Sequence, residues 1–252
     1  MRTTSRGFEI DYQSFGQGTP AVVLISGLLQ AAQDWIDRGY VEPLISTNRV
    51  VTIDPLGFGR SDKPDNVDAY DLDAQITDVV AVLDAVGVET AVVWGYSMGC
   101  VLATAFAKEH PERTSALIVG GNLVGLTPAD RGNIFTEEAA ALLEAEGVGG
   151  YTERNMQFLD ATTRELFIRR NDPRAAAAAV RAMARRYAAE EEPLPTRTLN
   201  YVGTREPWYE VALAVAHSIS VEFQGVRDAD HSEAFRAVDV VVPMVLSFLA
   251  NT

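Results

Sequence analysis

The stretch VVWGYSMGCVLATAFA, residues 92–107, changes character in its middle. It begins with β-branched and aromatic residues, which favour a strand, and it ends with small apolar residues at helical spacing. Between these parts lies GYSMG, residues 95–99, which fits the G-x-S-x-G pattern of a nucleophile elbow. The pattern predicts a sharp, strained turn that lifts the Ser97 hydroxyl clear of a sheet, with glycines where strand and helix come too close for side chains. The alternative is a glycine-rich turn without a chemical role.

On both sides of this stretch, strand patterns alternate with helical patterns over most of the chain. Residues 7–16, GFEIDYQSFG, alternate like a half-exposed antiparallel strand, and residues 31–45 and 72–88 are amphipathic at helical spacing. Six apolar segments that end at or near glycine have the form of buried strands: AVVLISG (21–27), RVVTIDPLG (49–57), TAVVWG (90–95), SALIVGGN (115–122), TRTLNYVG (196–203) and SISVEFQG (218–225). This alternation predicts an α/β fold, a mostly parallel sheet with helices on both faces.

One long segment interrupts the alternation. Residues 126–192 contain no convincing strand, only helical stretches such as TEEAAALLEAE and PRAAAAAVRAMARRYAAEEE. We expect these residues to form a helical cap over one end of the sheet, and residues 1–125 and 193–252 to form the core. The alternative is a set of ordinary, somewhat long crossover helices.

Composition narrows the classes of partner. The chain has 252 residues, 47% of them hydrophobic, and a formal net charge of −14 at pH 7, which fits one large α/β domain. Because nucleic acids and anionic membranes also carry negative charge, the acidic balance argues against both as partners. A small-molecule substrate is the expected partner, and the oligomeric state stays open.

Other composition features favour the cytoplasm. The first 13 residues lack the apolar segment of a secretory signal, and no run reaches the roughly 18 apolar residues of a membrane span. A single cysteine, Cys100, leaves no intrachain disulfide to form. Three histidines, one cysteine and no H-E-x-x-H motif leave no metal-ligand spacing, so we expect neither a metal nor another cofactor.

The sequence resembles the α/β-hydrolase family along nearly its whole length. The matching segments follow the order typical of such proteins: VVLISGLLQAAQDW (22–35), VVTIDPLGFGRSDKP (50–64), residues 92–121, LNYVGTREPW (199–208) and DADHSEAF (228–235). The resemblance, closest to the branch of serine esterases and lactonases with a helical cap, implies an eight-stranded sheet with one antiparallel strand near its start. It also implies a cap after the sixth strand.

A nucleophilic serine needs a general base, and only three histidines are available. His110 lies at the far end of the helix that begins at Ser97, more than about 15 Å from the hydroxyl. His217 precedes the last predicted strand and therefore belongs to the opposite edge of the sheet. His231 follows that strand, at the same edge as Ser97, so we assign it as the base.

The acid that orients the base should lie between Ser97 and His231 in the chain. The family resemblance implies a carboxylate three residues after a glycine beyond the penultimate strand, and VGTREPW, residues 202–208, supplies Glu206 there. Some family members place the acid one strand earlier, but Asn122 in that region cannot carry charge. Two acids near the base remain as alternatives to Glu206, namely Asp228 and Asp230.

The family also implies an oxyanion hole made by two backbone amides. One donor should be the amide of Met98, directly after the nucleophile, and the other should be the amide of Leu28. Family members usually have His-Gly before this second donor, whereas this chain has Ser26-Gly27. Each donor is worth about 10²–10³ in rate.

The assembled prediction is a serine hydrolase that cleaves a small, largely apolar ester, lactone or thioester through an acyl-enzyme. Serine at the elbow argues against the epoxide-hydrolase and dehalogenase branches, which use a carboxylate. The same fold and triad also serve C–C bond hydrolysis, lyase, acyltransfer and cyclisation chemistry, and a ligand receptor with residual hydrolysis is an alternative of another class. Four residues are candidates for substrate binding: Leu29, Trp35, Trp208 and Tyr209. Three phenylalanines of the cap segment are further candidates: Phe135, Phe158 and Phe167. For each of these residues the alternative is packing in the hydrophobic core.

Overall fold

A computed structural model describes residues 1–122, 135–185, 194 and 196–250. Within these residues, eight strands form one sheet: β1 Arg2–Ser5, β2 Phe8–Phe15, β3 Ala21–Ile25, β4 Arg49–Ile53, β5 Ala91–Tyr96, β6 Thr114–Gly120, β7 Thr198–Gly203 and β8 Glu222–Val226. The helices are α1 Ala32–Asp37, α2 Val41–Leu44, α3 Leu72–Val86, α4 Met98–Glu109, α5 Glu137–Asn155, α6 Ala161–Arg170, α7 Pro173–Arg185, α8 Tyr209–Ser218, α9 His231–Arg236 and α10 Val238–Leu249. Two 3₁₀ turns, Val67–Tyr70 and Pro111–Arg113, complete the set.

The sheet has the order β1-β2-β4-β3-β5-β6-β7-β8. β2 runs antiparallel to both β1 and β4, and the pairs from β3 to β8 are parallel. The predicted α/β fold is therefore confirmed, including the antiparallel strand at residues 7–16. The short strand β1 has no pattern of its own in the sequence, because two of its four residues are exposed.

Parallel strands bring distant loops to one edge of the sheet. β5 lies between β3 and β6, and the loops that follow β3, β5, β7 and β8 all leave the carboxyl ends of parallel strands. In open α/β sheets this edge is the usual position of ligand sites. Neighbouring residues of β3 alternate between the two faces, so Val23 packs in one apolar core and Val22 in the other.

The helices agree with their predicted patterns in one case and differ in another. The C-cap of α3 is Gly87, which has φ 66° and donates its backbone N–H to the carbonyl of Asp84, as the helical pattern predicts. Residues 31–45 form two short helices instead of one, because Gly39 between them has φ 87° and interrupts the helical path. No helix in the described part of the chain combines the length and apolarity needed to cross a membrane.

In the described part of the segment between β6 and β7 there are three helices, α5, α6 and α7, and we call them the inserted helices. Of the predicted cap at residues 126–192, residues 126–134 and 186–192 lie outside the described residues. α7 contains a run of five alanines, residues 175–179, that are all buried, and α7 packs against α5. Alanine has the highest helix propensity and lets two helices approach closely, so this composition explains both the helix and its packing.

Candidate active site

The turn between β5 and α4 presents Ser97 with φ 54° and ψ −120°, a strained conformation for a residue with a side chain. A Cβ atom added at Gly95 would lie 2.4 Å from the carbonyl oxygen of Gly99, and one at Gly99 would lie 2.3 Å from that of Ile25. Glycine is needed at both positions because the strand and the helix approach too closely for any side chain. The serine is thus raised at the start of a helix, above the carboxyl end of β5.

Ser97, His231 and Glu206 form a continuous chain of hydrogen bonds. The Nε2 atom of His231 lies 2.9 Å from the Oγ of Ser97, and its Nδ1 lies 2.7 Å from the Oε1 of Glu206. The Glu206 side chain is 2% exposed and that of His231 is 16% exposed. This arrangement allows the imidazole to accept the serine proton while the carboxylate orients the ring and stabilises the imidazolium.

The loops after β7 and β8 carry the acid and the base, and they touch at a glycine. A Cβ atom at Gly203 would lie 2.3 Å from the carbonyl oxygen of Ala229, so no side chain fits there. Next to this contact, the backbone N–H of Arg205 donates to the same Ala229 carbonyl at 3.0 Å. The close approach brings Glu206 under the ring of His231, which is the first residue of α9.

The two alternative acids make other contacts. Asp230 is the N-cap of α9, and its Oδ1 accepts the backbone N–H of Glu233 at 2.8 Å. Asp228 is exposed and has φ 53°. Among the described residues, the carboxylate that meets Nδ1 of His231 is Glu206.

Tyr96 contacts the backbone of His231. The sequence pattern did not single out this residue. Its hydroxyl donates to the carbonyl oxygen of His231 at 2.5 Å, and the two rings lie 5.4 Å apart. Burial, followed by the nearby Glu206 carboxylate, raises the pKa of Tyr96 well above its usual value, so the hydroxyl keeps its proton and remains a donor. The only signal in the sequence is an aromatic residue at the variable position before the serine.

Asn122, which cannot serve as the acid, contacts the elbow instead. The Asn122 Nδ2 donates to the backbone carbonyl oxygen of Ser97 at 3.1 Å. The backbone carbonyl oxygen of Asn122 accepts a hydrogen bond from the Nδ2 of Asn200 at 2.6 Å. These amide contacts connect the ends of β6 and β7 to the strained turn.

The loop after β3 is a tight turn over residues 27–30. The Gln30 backbone N–H donates to the Gly27 carbonyl at 3.1 Å, and the Gln30 side-chain Oε1 accepts the Gly27 N–H at 2.9 Å. Within the described residues, no hydrogen bond joins the backbone amide of Leu28 or of Met98 to a backbone or side-chain acceptor. Gln30, and not Ser26, therefore braces the loop, since the buried Ser26 hydroxyl has no partner in the described part of the chain.

A cavity of about 100 Å³ lies beside Ser97 and His231. Apolar side chains dominate its wall, and many come from the inserted helices and their connections: Phe135, Met156, Phe158, Leu159, Leu166 and Phe167. Polar groups at the wall include Gln30, Asn122, Arg38 and Arg236. The cavity therefore suits a small and mostly apolar group at the nucleophile.

Of the four residues predicted to bind substrate, Trp208 lines this cavity and its ring lies 6.0 Å from that of His231. Trp35 does not reach it, because it is fully buried in the core with ring centroids 5.0 Å from Tyr40 and 5.2 Å from Trp94. Tyr209 packs against Phe223 at 5.6 Å instead.

The fourth, Leu29, is fully buried and lies behind the lining residue Leu28. The remaining histidines make other contacts or none with the site: His110 lies 3.2 Å from Glu112, and His217 is exposed at the end of α8. Over residues 1–122, 135–185 and 196–250, no three His, Cys, Asp or Glu side chains are grouped to hold a metal ion.

Comparisons with known proteins agree with this architecture. A family model described as "alpha/beta hydrolase fold" matches residues 20–203. Epoxide hydrolase B of Mycobacterium tuberculosis is 36% identical over 117 residues, which cover 44% of this chain and 32% of that protein. The 2-hydroxymuconate semialdehyde hydrolase of Pseudomonas sp. (strain CF600) is 34% identical over 117 residues, 46% of this chain and 41% of that protein. The chain thus aligns with less than half the length of these relatives.

The crystal structure of the enol-lactonase from Burkholderia xenovorans LB400 is similar over almost the whole fold. Its TM-score is 0.82 at 22% sequence identity, and the match covers 99% of this chain and 100% of that one. At this identity the similarity concerns the fold.

Proposed function

The chain belongs to the α/β-hydrolase family, and we propose that it is a serine hydrolase that cleaves a small, largely apolar ester, lactone or thioester. The observation that carries the proposal is the pair of contacts made by His231, 2.9 Å to the Ser97 hydroxyl and 2.7 Å to Glu206. A buried carboxylate, an imidazole and a strained serine in this order are what acyl transfer requires.

In the proposed reaction, the Ser97 Oγ attacks the carbonyl carbon while its proton passes to Nε2 of His231. The negative charge that develops on the carbonyl oxygen is received by the backbone amides of Leu28 and Met98, two residues that line the cavity. When the tetrahedral intermediate collapses, the leaving alcohol or thiol takes the proton from His231. A water molecule, deprotonated by the same nitrogen, then cleaves the acyl-enzyme and restores Ser97.

The nucleophile separates this chain from one of its relatives. An epoxide hydrolase with a carboxylate nucleophile forms an alkyl-enzyme ester, whereas Ser97 offers an alcohol activated by His231. We therefore do not extend the activity of epoxide hydrolase B to this chain, although the two share 36% identity over 117 residues.

Cavity size and lining support the substrate class. A cavity of about 100 Å³ with a mostly apolar wall suits a small acyl group. The described inserted helices and their connections supply part of this wall, and on that ground we propose that residues 126–192 act as a cap. We also keep the cytoplasm as the proposed location.

A second candidate is hydrolysis of a C–C bond in an acidic substrate. The 34% identity to a 2-hydroxymuconate semialdehyde hydrolase favours it, as do two arginines at the cavity wall, Arg38 and Arg236, in a chain that is otherwise acidic. Guanidinium groups are suited to bind a carboxylate of such a substrate.

Labelling and turnover test the proposal. We expect a fluorophosphonate to modify Ser97, as identified by peptide mapping, and short-chain nitrophenyl esters to be turned over many times and faster than long-chain esters. Ser97→Ala should lower kcat by about 10⁶. The matched control is Ser218→Ala, an exposed serine at the end of α8 whose hydroxyl donates to the Val215 carbonyl, and this variant should keep wild-type rates.

Other results would select the alternatives. A stable adduct after one turnover would favour a ligand receptor. Absence of ester and lactone turnover, combined with cleavage of a C–C bond in a dienoic keto acid, would favour the second candidate. Labelling at a residue other than Ser97 would contradict the nucleophile assignment.

A further inference from the structure

The C-terminal end of α6 contacts the loop that carries the proposed oxyanion donor Leu28. The guanidinium of Arg170 donates to the carbonyl oxygen of Leu29 from Nε at 3.1 Å and from Nη2 at 2.9 Å. Its Nη1 donates to Asp34 Oδ1 at 2.8 Å, and its Nη2 also contacts the second carboxylate oxygen. One side chain of an inserted helix thus holds both a loop carbonyl and the first turn of α1.

A second side chain reaches the same carbonyl. The Nδ2 of Asn171, a residue that is 8% exposed, donates to the Leu29 oxygen at 2.9 Å. Three donor atoms from two consecutive residues therefore converge on one carbonyl oxygen. The Arg170 guanidinium also lies 4.9 Å from the Phe167 ring centroid, which fixes it from the cavity side.

The loop needs an external support because its backbone is strained. Leu29 has φ 63°, a region that residues with side chains rarely adopt. The turn over residues 27–30 is closed by the two Gln30 contacts with Gly27, and the Leu28 amide lies inside it. The contacts to the Leu29 carbonyl fix the Leu29–Gln30 peptide, whose N–H donates to the Gly27 carbonyl. That carbonyl and the Leu28 N–H belong to one peptide group, so the direction of the Leu28 N–H is fixed as well.

We propose that Arg170 is a positioning residue for the oxyanion hole, with Asn171 as its partner. The inference rests on the proposed function, since it assigns a task to the Leu28 amide in stabilising the tetrahedral intermediate. It goes further because it makes the oxyanion hole depend on the docking of the inserted helices. The same helix is connected at its other end to the base: Asp160, the N-cap of α6, pairs with Arg236 of α9 at 2.5 Å.

Three variants test the role. Arg170→Met removes the donors and keeps most of the apolar stem, while Arg170→Lys keeps the charge and loses the planar fork that reaches both acceptors. The matched control is Arg181→Met, because Arg181 is also on an inserted helix and also pairs with carboxylates, those of Glu137 and Glu144, but does not contact the loop. Thermal unfolding of each variant verifies that it is folded.

Kinetics on a short-chain ester provide the first measurement. We expect kcat of Arg170→Met to fall by about 10- to 100-fold, less than the loss of a whole oxyanion donor. KM should change by less than about 3-fold, because uniform binding is untouched. Arg170→Lys should lie between wild type and Arg170→Met, and Arg181→Met should equal wild type.

Inhibitor binding separates positioning from a merely structural role. A propyl trifluoromethyl ketone forms an adduct with Ser97 that carries an oxyanion, whereas butyramide binds without forming one. Arg170→Met should weaken the ketone in proportion to its loss in kcat and leave butyramide binding unchanged. Equal losses for both ligands, or an equal loss of kcat in Arg181→Met, would overturn the inference.

Hydrogen–deuterium exchange tests whether Arg170 holds the loop without any measurement of turnover. Amides of residues 28–30 should exchange faster in Arg170→Met and Arg170→Lys than in wild type, and at wild-type rate in Arg181→Met. If the wild-type chain hydrolyses no ester, the proposed function fails, and exchange still decides whether Arg170 holds the loop. Unchanged exchange in a folded Arg170→Met protein would refute the hold itself.

Discussion

The carboxyl edge of the sheet and the inserted helices meet at the same cavity but are held by different contacts. At the sheet edge, backbone touches backbone, so that a Cβ at Gly95, Gly99 or Gly203 would lie 2.3–2.4 Å from a carbonyl oxygen. The inserted helices are joined to the core by apolar packing and by side-chain ion pairs such as Arg170–Asp34 and Asp160–Arg236. The two halves of the site therefore differ in how much displacement they tolerate.

The sheet edge keeps the reacting residues in place, and the inserted helices form the cavity wall. Backbone contacts in a packed interior allow almost no adjustment, which keeps Ser97, His231 and Glu206 at hydrogen-bond distance. Exposed ion pairs such as those of Arg181 with Glu137 and Glu144 contribute little stability and are screened by salt, so the sequence at these exposed positions can vary without loss of the sheet. We expect substitutions at the sheet edge to have large effects and those at the exposed ion pairs of the inserted helices to have small ones, whereas the half-buried Arg170–Asp34 pair belongs with the site.

Among the residues that support the nucleophile, the largest effect should come from the buried acid. Glu206→Gln keeps the shape of the side chain but removes the charge that stabilises the His231 imidazolium, and kcat should fall by about 10⁴. Asp228→Asn is the matched control, because Asp228 is exposed and asparagine tolerates its φ of 53°. Steady-state rates that fall for Asp228→Asn and not for Glu206→Gln would transfer the acid to Asp228.

The next largest effect should be a loss of stability where two backbone segments touch. Gly99→Ala places a Cβ 2.3 Å from the Ile25 carbonyl oxygen and should lower the free energy of unfolding by about 3 kcal/mol. In the inserted helix α5, the corresponding change Gly149→Ala meets only Ile168 at 3.5 Å and should stabilise the protein by up to about 1 kcal/mol. Urea unfolding of both variants measures the contrast, and equal losses would show that the two regions are equally rigid.

A smaller effect is expected below the base. Tyr96→Phe leaves the His231 carbonyl without its donor and should lower the free energy of unfolding by about 1.5 kcal/mol, together with a fall in kcat. Tyr70→Phe provides the comparison, because the Tyr70 hydroxyl also donates to a backbone carbonyl, that of Pro64 at 2.6 Å, but away from the site. Similar losses of stability with a loss of kcat only in Tyr96→Phe would show that Tyr96 positions His231, and unchanged kcat in both would refute this role.

The smallest effect should come from the ion pairs within the inserted helices. Arg181→Met removes contacts to Glu137 and Glu144, whose side chains are 69% and 46% exposed, and should change the free energy of unfolding by less than about 1 kcal/mol. The difference from wild type should disappear in 1 M NaCl. A larger, salt-independent loss in thermal unfolding would place these pairs among the main supports of the insertion.

Part of the architecture can be predicted because its physical causes are local in sequence. The elbow at residues 95–99 requires glycine, serine and glycine at alternate positions. Apolar segments that end at glycine indicate buried strands wherever they occur. The helix pattern at residues 31–45 is misleading only at Gly39, where φ is 87°. Trp35 shows that closeness in sequence to the site does not place a side chain in it. This residue follows the loop of residues 27–30 closely, but its ring packs in the core against Tyr40 and Trp94.

Residue types and short-range spacing were enough to predict the fold class, the strained serine turn and the small set of histidines and acids from which a site can be built. The contact of Glu206 with Nδ1 of His231, the contact of Gln30 with Gly27, and the contact of Arg170 with the Leu29 carbonyl instead depend on how the folded chain packs. Those contacts join residues up to 141 positions apart, and their geometry follows from how strand ends and helices pack together.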